Sequence, residues 1–408
     1  MPGIEGFTGY GGLAPHSGSI AQILDLQGVI APHDGKAYRE SLLYGISGGA
    51  VFAYFYFAYE NQDPQVNLLT RNTFGEYGWD SMCERLGISR DVIKSTSPEK
   101  AEAKLIELLE EGRAPAVWAD VFTLGYEYSD LGEDMWAMQP VVVGEYPDPG
   151  SADGGEVLFA DRSQAVHRCR AEIFQEARGR IQKDRYQMIT LEAPDPGRLP
   201  EAVRAGIQDA VLLFFEKPPK GSGNNFGYKA LTRLSADVAS IKGKSAWDKL
   251  MPDPRMRLAG RMSALNYGHY FWKDGSADAD RGLFADFLDQ AAVILENDGI
   301  RSVAGQYRNI AAKWQSLAEL WLPRELPLCA DAADSIDGRH RSFRESGAGA
   351  VTELAAFDTR RRRALERAAS GELNLERLKD SAAAISALLL EIRDGEADAL
   401  RELETLAC

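Results

Sequence analysis

The apolar pattern of the chain changes at about Arg162, and this change constrains the fold more than any other feature. Before Arg162, short strand-like apolar runs are separated by Gly, Pro and Asp residues, and helical patterns lie between them. After Arg162, almost every segment carries an apolar stripe with a period of 3.6 residues. We therefore predict an α+β chain, with a mixed α/β domain over residues 1–162 and an all-helical domain over residues 163–408. A length of 408 residues agrees, because it exceeds what one ordinary hydrophobic core accommodates.

The individual elements follow from the same patterns. Strands are predicted at residues 66–69, 115–121, 141–144 and 156–160. Helices are predicted at residues 98–111, 200–216, 226–240, 283–296, 303–320, 351–369 and 373–406. The polar stretch at residues 331–349 is predicted to be a loop that separates the last two helices from the rest.

Composition limits the possible partners and compartments. Lys and Arg total 46 against 61 Asp and Glu, and a net charge of −15 repels phosphate backbones, so we expect no nucleic-acid partner. The four cysteines form no CxxC pair and have no metal-ligand spacing, so we predict no disulfide framework, no metal and no cofactor. The leader MPGIEGFTGYGG has neither a basic start nor an apolar run, and the apolar stretch 50–58 is too short to span a bilayer. We therefore expect a cytoplasmic protein without a membrane partner.

The stretch LAPHSGSIAQIL places His16 and Ser17 where the Gly-rich leader meets a helix predicted over residues 19–26. Unpaired backbone N–H groups and the positive end of the helix dipole favour a developing anion there, as at the nucleophile of papain-type enzymes. Serine also caps helices at such positions, and residue type alone favours that role for Ser17 or Ser19.

Several motifs together resemble one family. HSGSIAQILDLQGV and ESLLYGISGGAVFAY are similar to the N-terminal domain of the butirosin-biosynthesis acyltransferase H (BtrH) family, in which a His-Cys pair opens a helix and a Gly-rich segment follows. The segments PAVWADVFTLGYEY, QPVVVGEY and EVLFADRS follow in the family's order. Segments of the second half, including RGLFADFLDQAAVIL, are similar to the helical domain of unassigned function that follows in many relatives.

The resemblance implies a papain-like fold, related to the C39 peptidases, that moves an acyl group from a carrier-protein thioester to an amine acceptor. Its catalytic set would be the Cys after the histidine, a His before the VVVG strand and an Asp that closes the next strand. On this chain those positions are Ser17, Met138 or Gln139, and Asp161. The substrate pocket is then expected to involve His16, Gly48, Gly49, Tyr126 and Met138.

Two of the three catalytic positions have changed. A thiol with a pKa near ~8.5 is replaced by a hydroxyl that is barely ionised at neutral pH. No histidine lies near Val141, and Gln139 cannot accept a proton at neutral pH. Of the other histidines, His167 lies in Arg-rich sequence that is typical of a surface. His269 is the one outside candidate for a replacement base, although its aromatic neighbours are more typical of a core.

Weaker motifs concern partners. The GISGG turn at residues 45–49 lacks the Lys and Thr of a phosphate-binding loop, so we interpret it as a tight turn. The acidic residues Asp130, Glu133 and Asp134 could attract a polycationic amine, although a solvated loop is the simpler interpretation. The run at residues 360–363 could dock an acidic acyl carrier protein or form an ordinary charged helix face.

Three hypotheses follow from these features. The chain is a divergent acyltransferase that uses Ser17, a catalytically silent relative that binds a ligand or partner, or a self-assembling homo-oligomer. The segment 314–321, WQSLAELW, suggests the last of these, although its tryptophans are more typical of a core.

Overall fold

The computed structural model describes residues 2–57, 65–70, 77–126, 136–148, 154–216, 224–240, 243–270 and 277–407. These residues form two compact units, each built from separate segments of the sequence. The first unit comprises Met1–Leu43, Met82–Leu199 and Arg341–Ala356. The second comprises Tyr44–Ser81, Pro200–His340 and Phe357–Cys408. The division into contiguous domains at residues 1–162 and 163–408 stays a prediction. The two units differ from it, because each combines segments from both sides of residue 162.

The α+β class is confirmed, with a sheet region followed by a helical region. The strands of the described residues are β1 Phe52–Phe57, β2 Gln65–Thr70, β3 Arg90–Ile93, β4 Ala116–Asp120, β5 Met138–Glu145, β6 Glu156–Ala160, β7 Val166–Arg170 and β8 Met188–Leu191. The helices up to residue 215 are α1 Pro15–Leu26, α2 Glu40–Ile46, α3 Tyr77–Leu86, α4 Pro98–Glu110, α5 Val121–Leu124, α6 Ala171–Gly179 and α7 Leu199–Phe215. The later helices are α8 Gly227–Ala239, α9 Trp247–Leu250, α10 Pro254–Tyr270, α11 Arg281–Ile294, α12 Asp298–Trp321, α13 Pro327–Ser346, α14 Val351–Ala369, α15 Leu375–Lys379 and α16 Ala382–Leu406.

The first unit is organised around a six-stranded antiparallel sheet. Its strand order is β3-β8-β4-β5-β6-β7, and Val142 of β5 pairs with Ala160 of β6. One face of the sheet, which includes Val143 and Phe159, packs against apolar residues of α4 and α6. Helix α1 packs on β5 and buries Ile20 and Ile23. The sheet therefore supports the helix whose first turn carries Ser17.

The second unit is predominantly helical, with the two-stranded antiparallel sheet β1-β2 attached. Helices α8, α11, α12 and α16 pack on one another. Trp314 and Trp321 of α12 are buried in this core, and the Trp321 ring stacks on Trp247 at 5.5 Å between centroids. Their burial removes the sequence argument that this segment forms a self-assembly face.

Some local predictions agree closely with the structure and others are wrong. The helix predicted from residue 98 is α4, and the Ser97 hydroxyl accepts from the Lys100 N–H at its start. The predicted loop at residues 331–349 is wrong, because α13 continues to Ser346. Its buried residues Ala332, Ile336 and Phe343 recur at helical spacing among many charged residues, which conceal the stripe.

Two strands, β7 and β8, follow residue 162 and join the sheet. Both are short, and β7 carries polar residues, so the helical pattern around them dominates the sequence signal. Within the described ranges, no helix combines the length and apolarity needed to cross a membrane.

Candidate functional site

The backbone that leads into α1 is held by a carboxylate from another helix. Helix α1 begins at Pro15, four residues before the predicted start, and Ala14 is its N-cap residue. Proline is well suited to this first position, because its missing N–H would be unpaired there in any case. The Glu40 side chain, at the start of α2, accepts hydrogen bonds from the Leu13 and Ala14 N–H groups, each at 2.7 Å. Glu40 therefore holds the backbone just before the first turn, and no side chain caps the helix in the way predicted for a serine.

Ser17 is fully buried and bonds to the same carboxylate. Its Oγ donates to Glu40 Oε1 at 3.1 Å. The neighbouring serine, Ser19, donates its hydroxyl to the Pro15 carbonyl at 2.6 Å. The side chain at the family's nucleophile position is thus held by an acidic group rather than by an imidazole.

The charge of Glu40 is subject to opposing influences. Burial raises the pKa of the Glu40 carboxyl, and the N–H groups of Ala14 and Leu13, the Ser17 hydroxyl and the charge of Arg344 act to lower it. The positive end of the α1 dipole also favours a carboxylate at this position. Burial has the largest effect, so the pKa of Glu40 lies above its ordinary value.

His16 precedes Ser17 and is also buried. Burial lowers the pKa of His16 from 6.5 to about 4, so the imidazole is neutral at physiological pH. Its Nδ1 atom is buried and has no hydrogen-bond partner among the described residues. All five histidines lie within the described ranges, and in that part of the chain Ser17 Oγ bonds to none of them.

The strand that should carry the base begins with Met138 and Gln139, both partly buried. Met138 pairs with Asp120 and Gln139 pairs with Ala119 in the β4-β5 register. The Asp120 carboxylate caps α5, where it accepts from Phe122 N–H at 3.4 Å and from the next N–H at 3.2 Å. The predicted replacement of the imidazole by Met138 or Gln139 leaves no titrating base at those two positions.

Asp161 follows β6, as the family pattern implies, but it has other partners. It is almost fully buried and accepts from the Tyr126 hydroxyl at 2.5 Å, His167 Nε2 at 2.9 Å and the Ser163 N–H at 3.2 Å. Burial raises the pKa of this carboxyl, but the charges of His167 and Arg162 and the hydrogen bonds lower it, with a net value of about 2. Asp161 is therefore ionised and fully engaged at neutral pH.

The surface interpretation of His167 is wrong, because this residue is fully buried. His167 faces the core from β7, whereas Arg168 points outward; the alternation of a strand separates a buried histidine from its exposed arginine neighbours. Its Nδ1 accepts from the Ala348 N–H at 3.3 Å, and its Nε2 lies 2.8 Å from Ser163 Oγ as well as near Asp161.

These residue types are those of a catalytic triad, but the geometry is different. In a triad the acid and the nucleophile bond to opposite ring nitrogens, whereas Asp161 and Ser163 share Nε2 of His167. Ser163 is also fully buried and donates to the Ala165 carbonyl at 3.1 Å. We interpret this cluster as a buried polar network that joins the end of β6 to β7.

The remaining predicted pocket residues are divided between the two units. Tyr126 is buried, bonds to Asp161, and places its ring 4.3 Å from that of His167. Gly48 and Gly49 belong to the second unit, where both have positive φ angles, 104° and 61°. These angles agree with the tight-turn interpretation of residues 45–49.

The other sequence candidates have ordinary partners or lie outside the described residues. His269 is in the second unit, with its Nε2 2.5 Å from Asp337 Oδ1. Arg360 pairs with Asp331 at 2.6 Å, as an ordinary charged helix face would. The acidic patch at residues 130–134 lies outside the described residues. In the described ranges, His, Cys, Asp and Glu side chains form no group of three that could hold a metal.

A cleft of about 520 Å³ lies beside Glu40, within the first unit. Its walls are the leader at residues 5–12, one face of α1, and Tyr38 with Glu40. Acidic side chains line it at Glu5, Asp25 and Glu40, and its described lining contains no Lys or Arg.

Buried polar atoms line the cleft without partners, and two of them belong to side chains of Gln22 and Tyr38. Gln22 donates its Nε2 to the Thr8 carbonyl at 2.6 Å, while its Oε1 has no hydrogen-bond partner among the described residues. The Tyr38 hydroxyl is in the same situation, and both side chains are more than 90% buried. Buried polar groups are normally satisfied, so these atoms indicate a place where a ligand or water binds.

The Gly-rich leader is folded over the start of α1. Tyr10 packs its ring on the backbone of Gly12 and Gly18, where an added Cβ would lie 2.5 and 2.6 Å from ring atoms. Glycine is therefore required at both positions. This contact positions the leader as one wall of the cleft.

Comparison with known families agrees with this architecture. Residues 15–152 match the family described as Butirosin biosynthesis protein H, N-terminal. This part of the chain belongs to that family. The match to the BtrH N-terminal family begins with the first residue of α1 and includes Ser17, Glu40 and Gln139, whereas Asp161 and His167 follow its end. No curated protein matches the chain. Family membership indicates an acyltransferase-like fold.

Sequence reasoning missed Glu40 as part of the site. This residue begins ESLLYGISGG, a segment that carried the family resemblance, but its position 23 residues after Ser17 gives no local signal of their contact. The functional feature that the structure adds to the predicted set is thus a carboxylate that joins the nucleophile position to the cleft.

Proposed function

We propose that this protein is a catalytically silent member of an acyltransferase fold family, and that it binds an amine in the cleft beside Glu40. The observation that carries the proposal is the hydrogen bond from Ser17 Oγ to Glu40 Oε1. At the nucleophile position the chain has the Ser17 hydroxyl, and this hydroxyl donates to a carboxylate that two backbone N–H groups also hold.

The loss of acyl transfer follows from proton chemistry. A serine hydroxyl needs a nearby base to become a nucleophile, and histidine is suited to this because it titrates near neutral pH. The nearest imidazole in sequence, His16, forms no bond with Ser17 Oγ and has a pKa of about 4. Asp161, the family's orienting acid, is bonded to Tyr126 and His167 instead.

The ligand class follows from the lining of the cleft. Three carboxylates and two unpartnered oxygen atoms, Gln22 Oε1 and Tyr38 Oη, offer acceptors and negative charge. A protonated amine supplies both a positive charge and several N–H donors, and it satisfies such a lining without an added counterion. An amine acceptor is also what the family resemblance implies, so the ligand side of the site is proposed to persist after the chemistry is lost.

A second candidate is an altered acyltransferase in which Glu40 is the base for Ser17. The 3.1 Å contact favours it, because a general base must lie within hydrogen-bonding reach. Burial raises the pKa of Glu40, although both of its oxygens already accept backbone N–H groups, which act against this rise. The two candidates differ in one observable, the formation of an acyl-enzyme on Ser17.

Binding is tested by calorimetry with spermine as the probe amine. We expect Asp25→Asn and Glu5→Gln each to weaken the affinity of the full chain several-fold, and the double variant to weaken it about tenfold, which corresponds to about 1.4 kcal/mol. Asp91→Asn is the matched control, because Asp91 is an exposed residue of β3 and does not line the cleft. Equal affinities of the three single variants, Asp25→Asn, Glu5→Gln and Asp91→Asn, would show that spermine responds only to net charge. This result would overturn the amine-site proposal.

A further inference from the structure

A segment from the C-terminal half of the sequence completes the first unit. Residues 341–356 pack with this unit, although they lie almost 200 residues beyond the end of the family match. Phe343 is buried in the same apolar cluster as Phe159 and Phe174, and its ring lies 6.1 Å from that of Tyr126. Gly347 contacts the imidazole of His167 so closely that an added Cβ would lie 2.4 Å from it.

Within this segment, Arg344 bonds directly to the leader. Its Nη2 donates to the Gly11 carbonyl at 2.7 Å, and its Nη1 donates to the carbonyls of Gly12 and Arg162. Its own carbonyl accepts from the Gln164 N–H at 2.8 Å. One side chain thus joins two adjacent leader residues to the turn that follows β6.

The two leader residues that Arg344 binds, Gly11 and Gly12, also line the cleft. Next to them, Tyr10 packs on Gly18 of α1, so the leader is in contact with this helix. The positive charge of Arg344 also acts to lower the pKa of Glu40, another lining residue of the cleft, against the larger effect of burial. Arg344 therefore acts on both the shape and the charge of the cleft.

We propose that Arg344 is the positioning residue of this cleft, and that the C-terminal segment is a required part of a site that the BtrH N-terminal match does not contain. The nature of the ligand rests on the proposed function; the role of Arg344 in holding the leader does not. A guanidinium suits this role because its planar set of N–H donors reaches three carbonyl oxygens at once, whereas an ammonium is a single point of donation on a flexible stem.

The test compares Arg344→Gln and Arg344→Lys with the full-length wild type by hydrogen exchange and spermine calorimetry. We expect the amides of residues 9–12 to exchange at least tenfold faster in Arg344→Gln, and spermine to bind at least fivefold more weakly. Arg344→Lys should restore part of both effects. Arg341→Gln is the matched control, because Arg341 is an exposed residue of the same segment.

A second control separates positioning from general destabilisation. Leu105→Ala removes a fully buried side chain of the same unit that does not line the cleft, and it should lower the melting temperature without changing amide exchange at residues 9–12 or spermine affinity. Unchanged leader exchange in Arg344→Gln would overturn the proposal, as would equal leader effects of Leu105→Ala. If leader exchange rises in Arg344→Gln but wild type binds no spermine, the positioning role stands and the proposed amine ligand is wrong.

Discussion

The buried imidazole of His16 makes the first unit lose stability in mildly acidic solution. Its pKa falls from 6.5 to about 4 on burial, so the unfolded chain binds a proton between these pH values and the folded chain does not. Stability is therefore fully present above pH 6.5 and decreases as the pH falls towards 4. Each pH unit costs about 1.4 kcal/mol, on the order of 3 kcal/mol over the whole interval.

Native-state hydrogen exchange of the core amides in β4 and β5 measures this loss within the first unit, after correction for the intrinsic pH dependence of exchange. His16→Phe keeps a buried ring and cannot titrate. Between pH 6.5 and pH 4, its free energy of opening should therefore fall by about 3 kcal/mol less than that of the wild type. The carboxylates and the other histidines are common to both proteins and cancel in the difference. Parallel pH profiles for wild type and His16→Phe would refute the burial argument.

Three further substitutions test the site's structure. Glu40→Ala removes the acceptor of two N–H groups at the start of α1 and should lower the free energy of unfolding of the first unit by about 2 kcal/mol, measured by urea denaturation. Gly18→Ala places a methyl group against the Tyr10 ring and should speed amide exchange in the leader, whereas unaltered exchange would show that the ring moves freely. Gly347→Ala, at a φ of +50°, should lower the melting temperature. Gly349→Ala should not, because the nearest neighbour of an added Cβ there is 3.9 Å away. Equal effects of the two substitutions would contradict the tight contact at Gly347.

Local sequence patterns predicted the scaffold of the site well. The strand at residues 156–160 coincides with β6, and the helix predicted at 98–111 ends within one residue of α4. Both follow from periodicity and from capping residues that act over a few positions. The start of α1 was misplaced, because no serine caps it, and Glu40 of the next helix holds the preceding N–H groups of Leu13 and Ala14 instead.

The chemistry of the site was less accessible, because it depends on contacts between distant residues. The pairing of Ser17 with Glu40 and the contact of Arg344 with Gly11 span 23 and 333 positions, and neither leaves a periodic signal. His167 was missed for another reason: strand alternation buries it beside the exposed Arg168, so composition indicates a surface where the structure has a core.

The central claim is that Ser17 no longer accepts an acyl group. Intact-mass analysis of the full chain after incubation with an acyl-pantetheine thioester and spermine at neutral pH tests it directly, with Ser17→Ala as the control. The account predicts the unmodified mass for both proteins and no acylated spermine in solution. An added acyl mass on the wild type that is absent from Ser17→Ala would contradict it and would establish Ser17 as a working nucleophile.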